Sequence, residues 1–403
     1  MQRDGGARKS TLLYADALPD RTNYRERARY ARGVYDLGQN LYAFLAPNGS
    51  WNETNTGLIV GRGESLLVDT QVDLPHTRSM LELMRPLTAT CPIRYLVNTH
   101  ADGDHCWGNE LVADAEIISS QACYEEMQEL SPKAFMSLGK LGSLLKLVGR
   151  LTGVARYRSI GSWWQAMLAP YDARPVKLTL PSRRFTGECR IDVGGREVHL
   201  LEVGPMHTRG DVLVYVPDAR TLFAGDAAFI DVTPVLWAGP VEQWISTLDK
   251  ILQMDVDVII PGHGPVTDKT GIRQLRDYWT FLDTEVRQRF NLGMGAKKAA
   301  YDIAHSTEFT CSQFAQWDSP ERLLVSVYTL YRWFERRTDH PKLLERLRIF
   351  AEEAEFASTF PGATPVRLHP ARYHTNSEPN AQVFERSVDQ SAGDPSPGKH
   401  KAG

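Results

Sequence analysis

The sequence predicts an α/β fold that carries a helical insert and a helical C-terminal region. Short apolar runs of strand length, bounded by Gly, Asn, Asp or Pro, recur between residues 40 and 264. Longer segments with helical periodicity alternate with them or follow them. His and Asp residues follow the ends of several of the strand-like runs, where α/β proteins commonly hold ligands and metals.

The composition is that of an ordinary globular protein, with 403 residues, 42% hydrophobic and 24% charged. The formal net charge of −3 gives no strong field for nucleic acid, and we expect no nucleic-acid partner. No stretch reaches the roughly 20 apolar residues that span a bilayer, and the first residues lack a signal-peptide run. Five widely spaced cysteines without a C-x-x-C pair fit a reduced compartment. We therefore expect a cytoplasmic protein that is not an integral membrane protein.

The N-terminal part of the sequence predicts an arm, then strands and one helix. The polar, arginine-rich residues 1–37 are interpreted as an arm with room for a short helix. In "TGLIVGRGESLLVDT" two apolar runs flank Gly61-Arg62-Gly63, which predicts a hairpin. This G-x-G is not a nucleotide loop, because neither a helix start nor a third glycine follows it. Further elements are predicted as strands at 40–47 and 93–100 and as a helix at 74–86.

The remainder of the chain changes its periodicity three times. Residues 124–174 predict an apolar helical insert, and their glycines would make its long helix weak in isolation. Residues 271–358 are again helical in pattern, and the Pro-, Ser- and Gly-rich residues 368–403 predict a disordered tail. We therefore predict an α/β domain at 38–270 between the arm and the helical region. The apolar stripe of the insert is Leu138, Leu141, Leu145 and Val148, and strand-like runs lie at 176–181, 196–204, 211–217, 221–226 and 256–264.

The stretch "NTHADGDHCWGN", residues 98–109, has the residue types of a metal site. Three further candidates follow apolar runs beside glycine, in "GPMHTRGD", "LFAGD" and "PGHG". Imidazole and carboxylate suit zinc, iron or manganese, and a carboxylate can bridge two ions. The candidate ligands are His100, Asp102, Asp104, His105, His207, Asp226 and His263.

A turn is the simpler interpretation for an Asp beside Gly, and we apply it first to Asp69, Asp73, Asp114 and Asp231. Asp211, which follows the His207 turn, is interpreted as a turn residue or as a support behind the ligands. The full candidate set is harder to explain in this way, because four separate strand ends carry it in order.

The ordered set resembles the metallo-β-lactamase superfamily, whose pattern is H-x-H-x-D-H, then a His, a bridging Asp after a strand and a last His in a P-G-H-G turn. The resemblance covers about residues 38–270. It implies an αββα sandwich, with two mixed sheets back to back, helices outside and a dinuclear site at one edge. It also implies two divalent metal ions, zinc first, with iron or manganese open. The ligands implied are His100, Asp102 and His207 for one metal, Asp104, His105 and His263 for the other, and Asp226 as the bridge.

Asp102 departs from the family pattern, because it occupies the position of the second histidine. Each metal would then have two imidazoles and one terminal carboxylate, the ligand composition of the non-haem iron facial triad. In the flavodiiron branch of the superfamily this position is also a carboxylate, a Glu. With a bridging hydroxide the site would be neutral, where the usual pattern leaves about +1, and it would be a weaker Lewis acid. The alternative is that Asp102 is too short to reach the metal.

The insert has two open interpretations. It makes the distance from His105 to His207 longer than is usual in the family, at 102 positions. It could be an additional core or dimer helix, or it could form a wall or lid over the metals. In the second case its apolar side chains would contact the substrate. These are Phe135, Trp163, Trp164 and Met167.

The sequence therefore predicts a metal-dependent hydrolase of this superfamily. A metal-bound hydroxide would attack an ester, lactone or thioester in a small or medium substrate with an apolar portion. Asp104 and Asp226 are the predicted catalytic residues, because either could orient the hydroxide. Two alternatives stay open, a di-iron oxidase or oxygenase with the same ligands and a binding protein that kept the fold. A homo-oligomer is also left open.

Overall fold

Two β-sheets form the centre of the fold. The computed structural model describes residues 10–16, 28–337, 343–360 and 363. The predicted tail and the part of the arm in which a short helix was expected lie outside these residues. All the elements below belong to one compact unit. The predicted domain boundaries themselves stay predictions.

The first sheet has eight strands that lie side by side in chain order. The first five pair antiparallel, and the last four pair parallel, so the fifth strand belongs to both arrangements. The predicted hairpin around Gly61–Gly63 is the connection between the fourth and fifth strands. The strands are β1 (Thr11–Ala15), β2 (Gly33–Gly38), β3 (Leu41–Leu45), β4 (Thr56–Val60), β5 (Ser65–Val68), β6 (Ile93–Val97), β7 (Glu116–Ser120) and β8 (Arg183–Phe185).

The second sheet has five strands, which also lie side by side in chain order. Four of them pair antiparallel, and the last strand joins its neighbour in parallel. The strands are β9 (Glu188–Val193), β10 (Arg196–Glu202), β11 (Val212–Val216), β12 (Thr221–Phe229) and β13 (Val258–His263).

Side-chain alternation along the strands builds three apolar layers. The inward residues of both sheets, such as Val97 and Val214, share one buried cluster between the sheets. The neighbouring residue Leu96 points to the opposite face and packs with Met80 and Met84 of a covering helix. Leu213 likewise points outward, into a cluster with helices on the far side of the second sheet. The predicted αββα sandwich is therefore confirmed.

The helices cover both outer faces and form the predicted insert and C-terminal region. Helix α1 covers the first sheet, and α6, α7 and α10 contribute to the cluster on the second. Among the described residues, no helix is both long and apolar enough to cross a membrane. The helices are α1 (Leu74–Thr88), α2 (Gly103–Cys106), α3 (Gln121–Met127), α4 (Pro132–Thr152), α5 (Ala155–Leu168), α6 (Val241–Gln253), α7 (Lys269–Asn291), α8 (Ala296–Ala304), α9 (Thr307–Thr310), α10 (Arg322–Phe334) and α11 (Leu343–Ala357).

The structure departs from the predicted elements in two ways. The predicted strand at 176–181 is not a strand. Pro175 precedes this segment and Pro181 ends it, and a proline has no backbone N–H to donate to a neighbouring strand. Its Val176 instead packs in a cluster with Trp107. Five strands were not predicted, namely β1, β2, β7, β8 and β9. The signal for β9 was present, because the Gly194-Gly195 pair that turns it into β10 is a typical hairpin turn.

Candidate metal centre

Strand ends and short loops bring all seven predicted ligands to one edge of the sandwich. Four of them follow β6, where the chain leaves the sheet and turns into the short helix α2. His207 lies in the loop between β10 and β11, Asp226 lies within β12, and His263 is the last residue of β13. Because β12 and β13 run parallel, their side chains at this end face the same space as the α2 loop.

Asp226 lies at the centre of the cluster. Its Oδ2 atom is 3.7 Å from His100 Nε2, 3.2 Å from His207 Nε2 and 3.3 Å from His263 Nε2, and its Oδ1 atom is 3.3 Å from His105 Nε2. In a tetrahedral site with metal–ligand bonds of about 2.0–2.1 Å, neighbouring ligand atoms lie about 3.3–3.4 Å apart. Asp226, between four imidazoles, therefore has the position that a bridging carboxylate would occupy.

The remaining ligand atoms divide into two groups of three around Asp226. One group is His100, Asp102 and His207, and the other is Asp104, His105 and His263. Within each group the ligand atoms lie within 4.8 Å of one another. These groups coincide with the two ligand sets that the family resemblance implied.

Asp102 reaches the cluster. Its Oδ2 atom lies 3.2 Å from His207 Nε2 and 4.0 Å from His100 Nε2. Asp102 occupies the N-cap position of α2, yet its side chain makes no capping hydrogen bond and points to the histidines instead. Its side chain is 31% exposed, whereas the side chains of the other six residues are at most 10% exposed. Asp102 therefore marks the open side of the cluster.

Hydrogen bonds behind the cluster fix which nitrogen three of the four imidazoles present. His207 Nδ1 lies 2.7 Å from the Val235 carbonyl oxygen, so it carries the proton and leaves Nε2 for a ligand. His105 Nδ1 lies 2.8 Å from Asp69 Oδ2. His100 Nδ1 lies 3.0 Å from Thr99 Oγ1, a hydroxyl that itself donates to Asp69. Such partners orient metal-binding histidines in many proteins.

The structure corrects the turn interpretation of Asp69. Its carboxylate accepts hydrogen bonds from the Thr99 backbone N–H at 2.7 Å and from the Thr99 hydroxyl at 2.7 Å, besides the contact to His105. The sequence signal was available, because "LLVDT" places an Asp at the end of a buried strand, as "LFAGD" does for Asp226. Asp211 is the predicted turn residue, since its carboxylate accepts from the Thr208 and Met206 N–H groups.

Unsatisfied polar atoms show that the cluster fits a metal. His100 Nε2, His105 Nε2 and Asp226 Oδ1 are buried and have no hydrogen-bond partner among the described residues. Buried polar atoms nearly always have a partner, so three such atoms facing one space require another explanation. A divalent cation accounts for all three, because both imidazole nitrogens and carboxylate oxygens are its ordinary ligands.

The charges of the cluster agree with this fit. Burial alone would raise the pKa of Asp226, but the surrounding imidazoles, His263 first, hold it well below its usual range. Burial, with the nearby His105, holds the pKa of His100 well below its usual range. Burial would lower the pKa of His207, yet Asp226 and Asp102 raise it to about 9. The carboxylates therefore favour positive charge in the cluster. Protons on the imidazoles can carry this charge, and a bound metal would supply it when it displaces those protons.

Gly262 makes room for the central carboxylate. A Cβ atom at this position would lie 1.9 Å from Asp226 Oδ1, which is far inside contact distance. The neighbouring turn is held in place from the other sheet, because the Asn55 N–H donates to the Gly262 carbonyl oxygen at 2.7 Å. The P-G-H-G sequence therefore provides both a candidate ligand and the space beside it.

Fold and site together define a class of protein, an αββα sandwich whose edge carries a cluster of His and Asp residues with metal-ligand chemistry. The chain belongs to the metallo-beta-lactamase superfamily, whose family pattern matches residues 49–263. The predicted superfamily is thus confirmed.

Curated relatives are similar to part of this chain. A linear primary-alkylsulfatase from Pseudomonas sp. (strain ATCC 19151) is 25% identical over 244 residues, which are 57% of this chain and 46% of the relative. The 2,4-dinitroanisole O-demethylase subunit alpha from Nocardioides sp. (strain JS1661) is 31% identical over 152 residues, 34% of this chain and 41% of the relative. The chain therefore spans about half the length of these relatives.

Solved structures share the fold. The stereoselective inverting sec-alkylsulfatase Pisa1 from Pseudomonas sp. superposes with a TM-score of 0.56 at 16% identity, over 75% of this chain and 50% of that one. A metallo-beta-lactamase family protein from Thermus thermophilus gives a TM-score of 0.51 at 16% identity, over 75% of this chain and 95% of that one. At this level of identity the likeness shows the fold alone.

The replacement Asp102→His should shift the metal preference of the protein towards zinc. It restores the histidine of the usual family pattern and removes one negative charge from the site. We expect the zinc-to-iron ratio of protein from cells supplied with both metals to rise on the order of tenfold. The exposed Asp114→His is the matched control and should leave the ratio unchanged. Equal ratios in all three proteins would show that Asp102 is not a ligand.

Proposed function

We propose that the protein is a dinuclear metal-dependent hydrolase that cleaves an ester-like bond, in an ester, lactone or thioester. The substrate is a small or medium molecule, uncharged near the bond and apolar at one end. The observation that carries the proposal is the Asp226 carboxylate, which lies 3.2–3.7 Å from four imidazole nitrogens. Asp102 and Asp104 flank these imidazoles, one in each group of three.

Each residue of the cluster has a proposed part in holding two divalent ions, zinc in the first place. When bound, such ions lower the pKa of a water molecule towards about 7 and polarise the oxygen of the scissile bond. Asp226 would hold both ions and fix their separation. His100, Asp102 and His207 would hold one, and Asp104, His105 and His263 the other.

Asp104 and Asp226 are the carboxylates that we propose to act on the attacking water. The Asp104 Oδ2 atom lies 3.6 Å from His263 Nε2 and 3.9 Å from His105 Nε2, as a ligand atom of a shared ion would. Burial raises the pKa of Asp104, although His105 and His263 work against the shift, and a bound cation would lower it. We propose that both carboxylates stay anionic and orient the attacking water.

The surroundings of His263 favour an uncharged substrate. A cleft beside this histidine is lined by Glu53 and Asp318, and no Lys or Arg is among the described residues that line it. Arg32 and Arg29 pair with these two carboxylates but do not reach the cleft wall. The described residues that line the cleft therefore offer no Lys or Arg to an anionic group. A sulfate ester, the substrate class that the name of the alkylsulfatase relative suggests, is the less favoured alternative.

A second, apolar pocket includes the residue that follows the cleft wall in the chain. Trp51 follows Ser50, a residue of the cleft wall, and lines an apolar pocket together with side chains of the insert. The wall has almost no polar surface, so it would bind an alkyl or aromatic group. Its other lining residues are Phe135, Leu138, Trp163, Trp164, Met167, Leu168 and Phe350.

Filling the apolar pocket should raise KM for long substrates far more than for short ones. Leu138→Trp adds volume to a partly buried lining residue, whereas removal of the buried Trp163 would also leave a destabilising cavity. We expect KM for a ten-carbon p-nitrophenyl ester to rise roughly tenfold and KM for the acetate to change little. Leu141→Trp, on a side chain that is 37% exposed, is the matched control. An equal change for both esters would contradict the proposed binding pocket, and hydrolysis of p-nitrophenyl sulfate alone would contradict the proposed substrate class.

A di-iron oxidase or oxygenase is the second candidate. The observation that favours it is Asp102, which gives each group of three one carboxylate and two imidazoles, as in non-haem iron sites. Metal analysis separates the two proposals. Two irons, visible absorption and oxygen consumption support the oxidase, and two zincs with esterase activity support the hydrolase.

A further inference from the structure

Helices α4 and α5 form a helical hairpin with an unusual surface. Of the ten large hydrophobic residues exposed among the described residues, six lie on this hairpin. The four leucines recur at intervals of three and four, which places them on one side of α4. A valine and a tyrosine continue the surface at the tip. We call this set the hairpin face, namely Leu141, Leu144, Leu147, Leu151, Val154 and Tyr157.

The hairpin face takes no part in the packing of the hairpin itself. The two helices meet along their opposite sides, where Gly142 and Gly161 allow the backbones to approach closely. A Cβ atom at Gly161 would lie 2.3 Å from the Gly142 carbonyl oxygen. Leu138 and Leu145, the other half of the predicted stripe, pack in a cluster with α5 and α11. The interior of the hairpin is therefore complete without the exposed leucines, of which Leu151 is 78% exposed.

The same hairpin is strongly basic. Residues 132–170 contain six Lys and Arg and no Asp or Glu, although the whole chain has a net charge of −3. Ten consecutive residues at the tip, 150–159, are exposed, and three of them are arginines. Arg156 forms an ion pair with Glu355, which leaves Arg150 and Arg158 without an ion pair among the described residues. The surface thus combines apolar side chains with positive charge.

We propose that the hairpin face docks onto the surface of an anionic lipid bilayer. A helix with an apolar stripe and basic flanks lies in the plane of such a surface, with its leucines at the acyl boundary and its cations among the headgroups. Lys133 and Lys140 lie fourteen and seven residues before Leu147 and so share its side of the helix, from which long side chains can reach the headgroups. A second copy of the chain is a poor partner for the hairpin face, because two basic hairpins would repel each other.

Docking would also place the proposed active site near the bilayer. Phe135 at the base of α4 packs edge-on against Trp107, at 5.4 Å between ring centroids, and Trp107 directly follows α2. The apolar pocket described above lies at the same base, between Leu138 and Trp163. If the proposed function holds, an amphiphilic substrate could pass from the bilayer to this pocket. The docking itself does not depend on the reaction, because it is measured by binding alone.

The test is co-sedimentation of the full chain with lipid vesicles at low salt. We expect binding to phosphatidylcholine vesicles that contain about a third phosphatidylglycerol, much weaker binding to pure phosphatidylcholine, and loss of binding as salt screens the charges. The triple variant Leu144→Gln, Leu147→Gln, Leu151→Gln should lower the partition coefficient by about tenfold or more. Leu292→Gln with Leu344→Gln, two leucines that are each 80% exposed elsewhere, is the matched control and should bind as the unaltered protein does.

A second variant tests the charge separately. Arg150→Glu with Arg158→Glu should weaken binding to the anionic vesicles and leave the apolar side chains unchanged. All these positions are exposed, so the variants should keep the circular dichroism spectrum and the hydrolysis of a short soluble ester. No binding to anionic vesicles, or equal binding by the triple variant, would overturn the proposal. Conversion of a dimer to a monomer by the triple variant would instead show that a second copy covers the hairpin face.

Discussion

Replacement of Asp226 by asparagine should remove the bound metal and lower kcat/KM on the order of a thousandfold or more, while the protein stays folded. The side chain keeps its size and shape, so no cavity forms in the fully buried strand β12. What is lost is the negative charge that lies 3.2–3.7 Å from four imidazole nitrogens. Without this charge the two groups of three ligands have no shared anion.

Three readouts are needed to separate a lost site from a lost fold. Metal content should fall towards zero, esterase activity should disappear, and the circular dichroism spectrum should match that of the unaltered protein. The exposed Asp114→Asn, the same chemical change outside the cluster, should retain metal and activity. Full metal content and full activity in the Asp226 variant would show that this carboxylate is not the bridge.

The replacement Gly262→Ala should have the second largest effect, although it changes no ligand. The added Cβ atom would lie 1.9 Å from Asp226 Oδ1, so either the carboxylate or the turn that carries His263 must move. We expect at least about a hundredfold loss of activity, because catalytic geometry is sensitive to displacements of about 1 Å. Overpacking of this kind should also lower stability by about 1–3 kcal/mol.

The control for this variant is Gly295→Ala, at a glycine with open space around its Cβ position. It should alter neither metal content nor activity. The informative comparison is metal affinity measured by competition with a chelator, since a displaced bridge weakens it even where the fold survives. Unchanged affinity in the Gly262 variant would mean that the space between this turn and Asp226 is larger than the structure shows.

The seven candidate ligands could be found from the sequence because each follows a short local pattern. An apolar run that ends in Asp or His beside glycine is visible in one chain segment, as in "LFAGD" for Asp226 and "PGHG" for His263. Their convergence followed from the rule that strand ends meet at one edge of the sheet. The resemblance to a known family then supplied the division of the candidates between two metals.

Asp69 shows the same strand-end pattern, but the role of a supporting residue cannot be derived from it, because that role depends on contacts between distant segments. Asp69 contacts His105, 36 positions away, only because β5 and β6 run side by side. Two glycines show the same limit, since Gly142 and Gly149 were expected only to make α4 weak in isolation, and their packing partner could not be predicted. In the structure both lie where α4 meets α5, and a Cβ atom at Gly149 would lie 2.7 Å from the Arg158 backbone nitrogen.

The insert shows the same limit on a larger scale. Its helical periodicity predicted an apolar stripe, and α4 does have apolar side chains on two sides. Periodicity alone does not say which side meets the rest of the protein. The structure turns Leu138 and Leu145 inward and leaves Leu141 37% exposed, because the glycines select the side on which α5 can approach.

The metal content of the purified protein tests the central claim most directly. Protein prepared without added metal is analysed by mass spectrometry for zinc, iron and manganese, and its hydrolysis of a p-nitrophenyl ester is followed before and after chelation. We predict two metal ions per chain, loss of activity when a chelator removes them, and recovery when they are returned. Fewer than one metal ion per two chains, with an esterase activity that a chelator does not affect, would contradict the account.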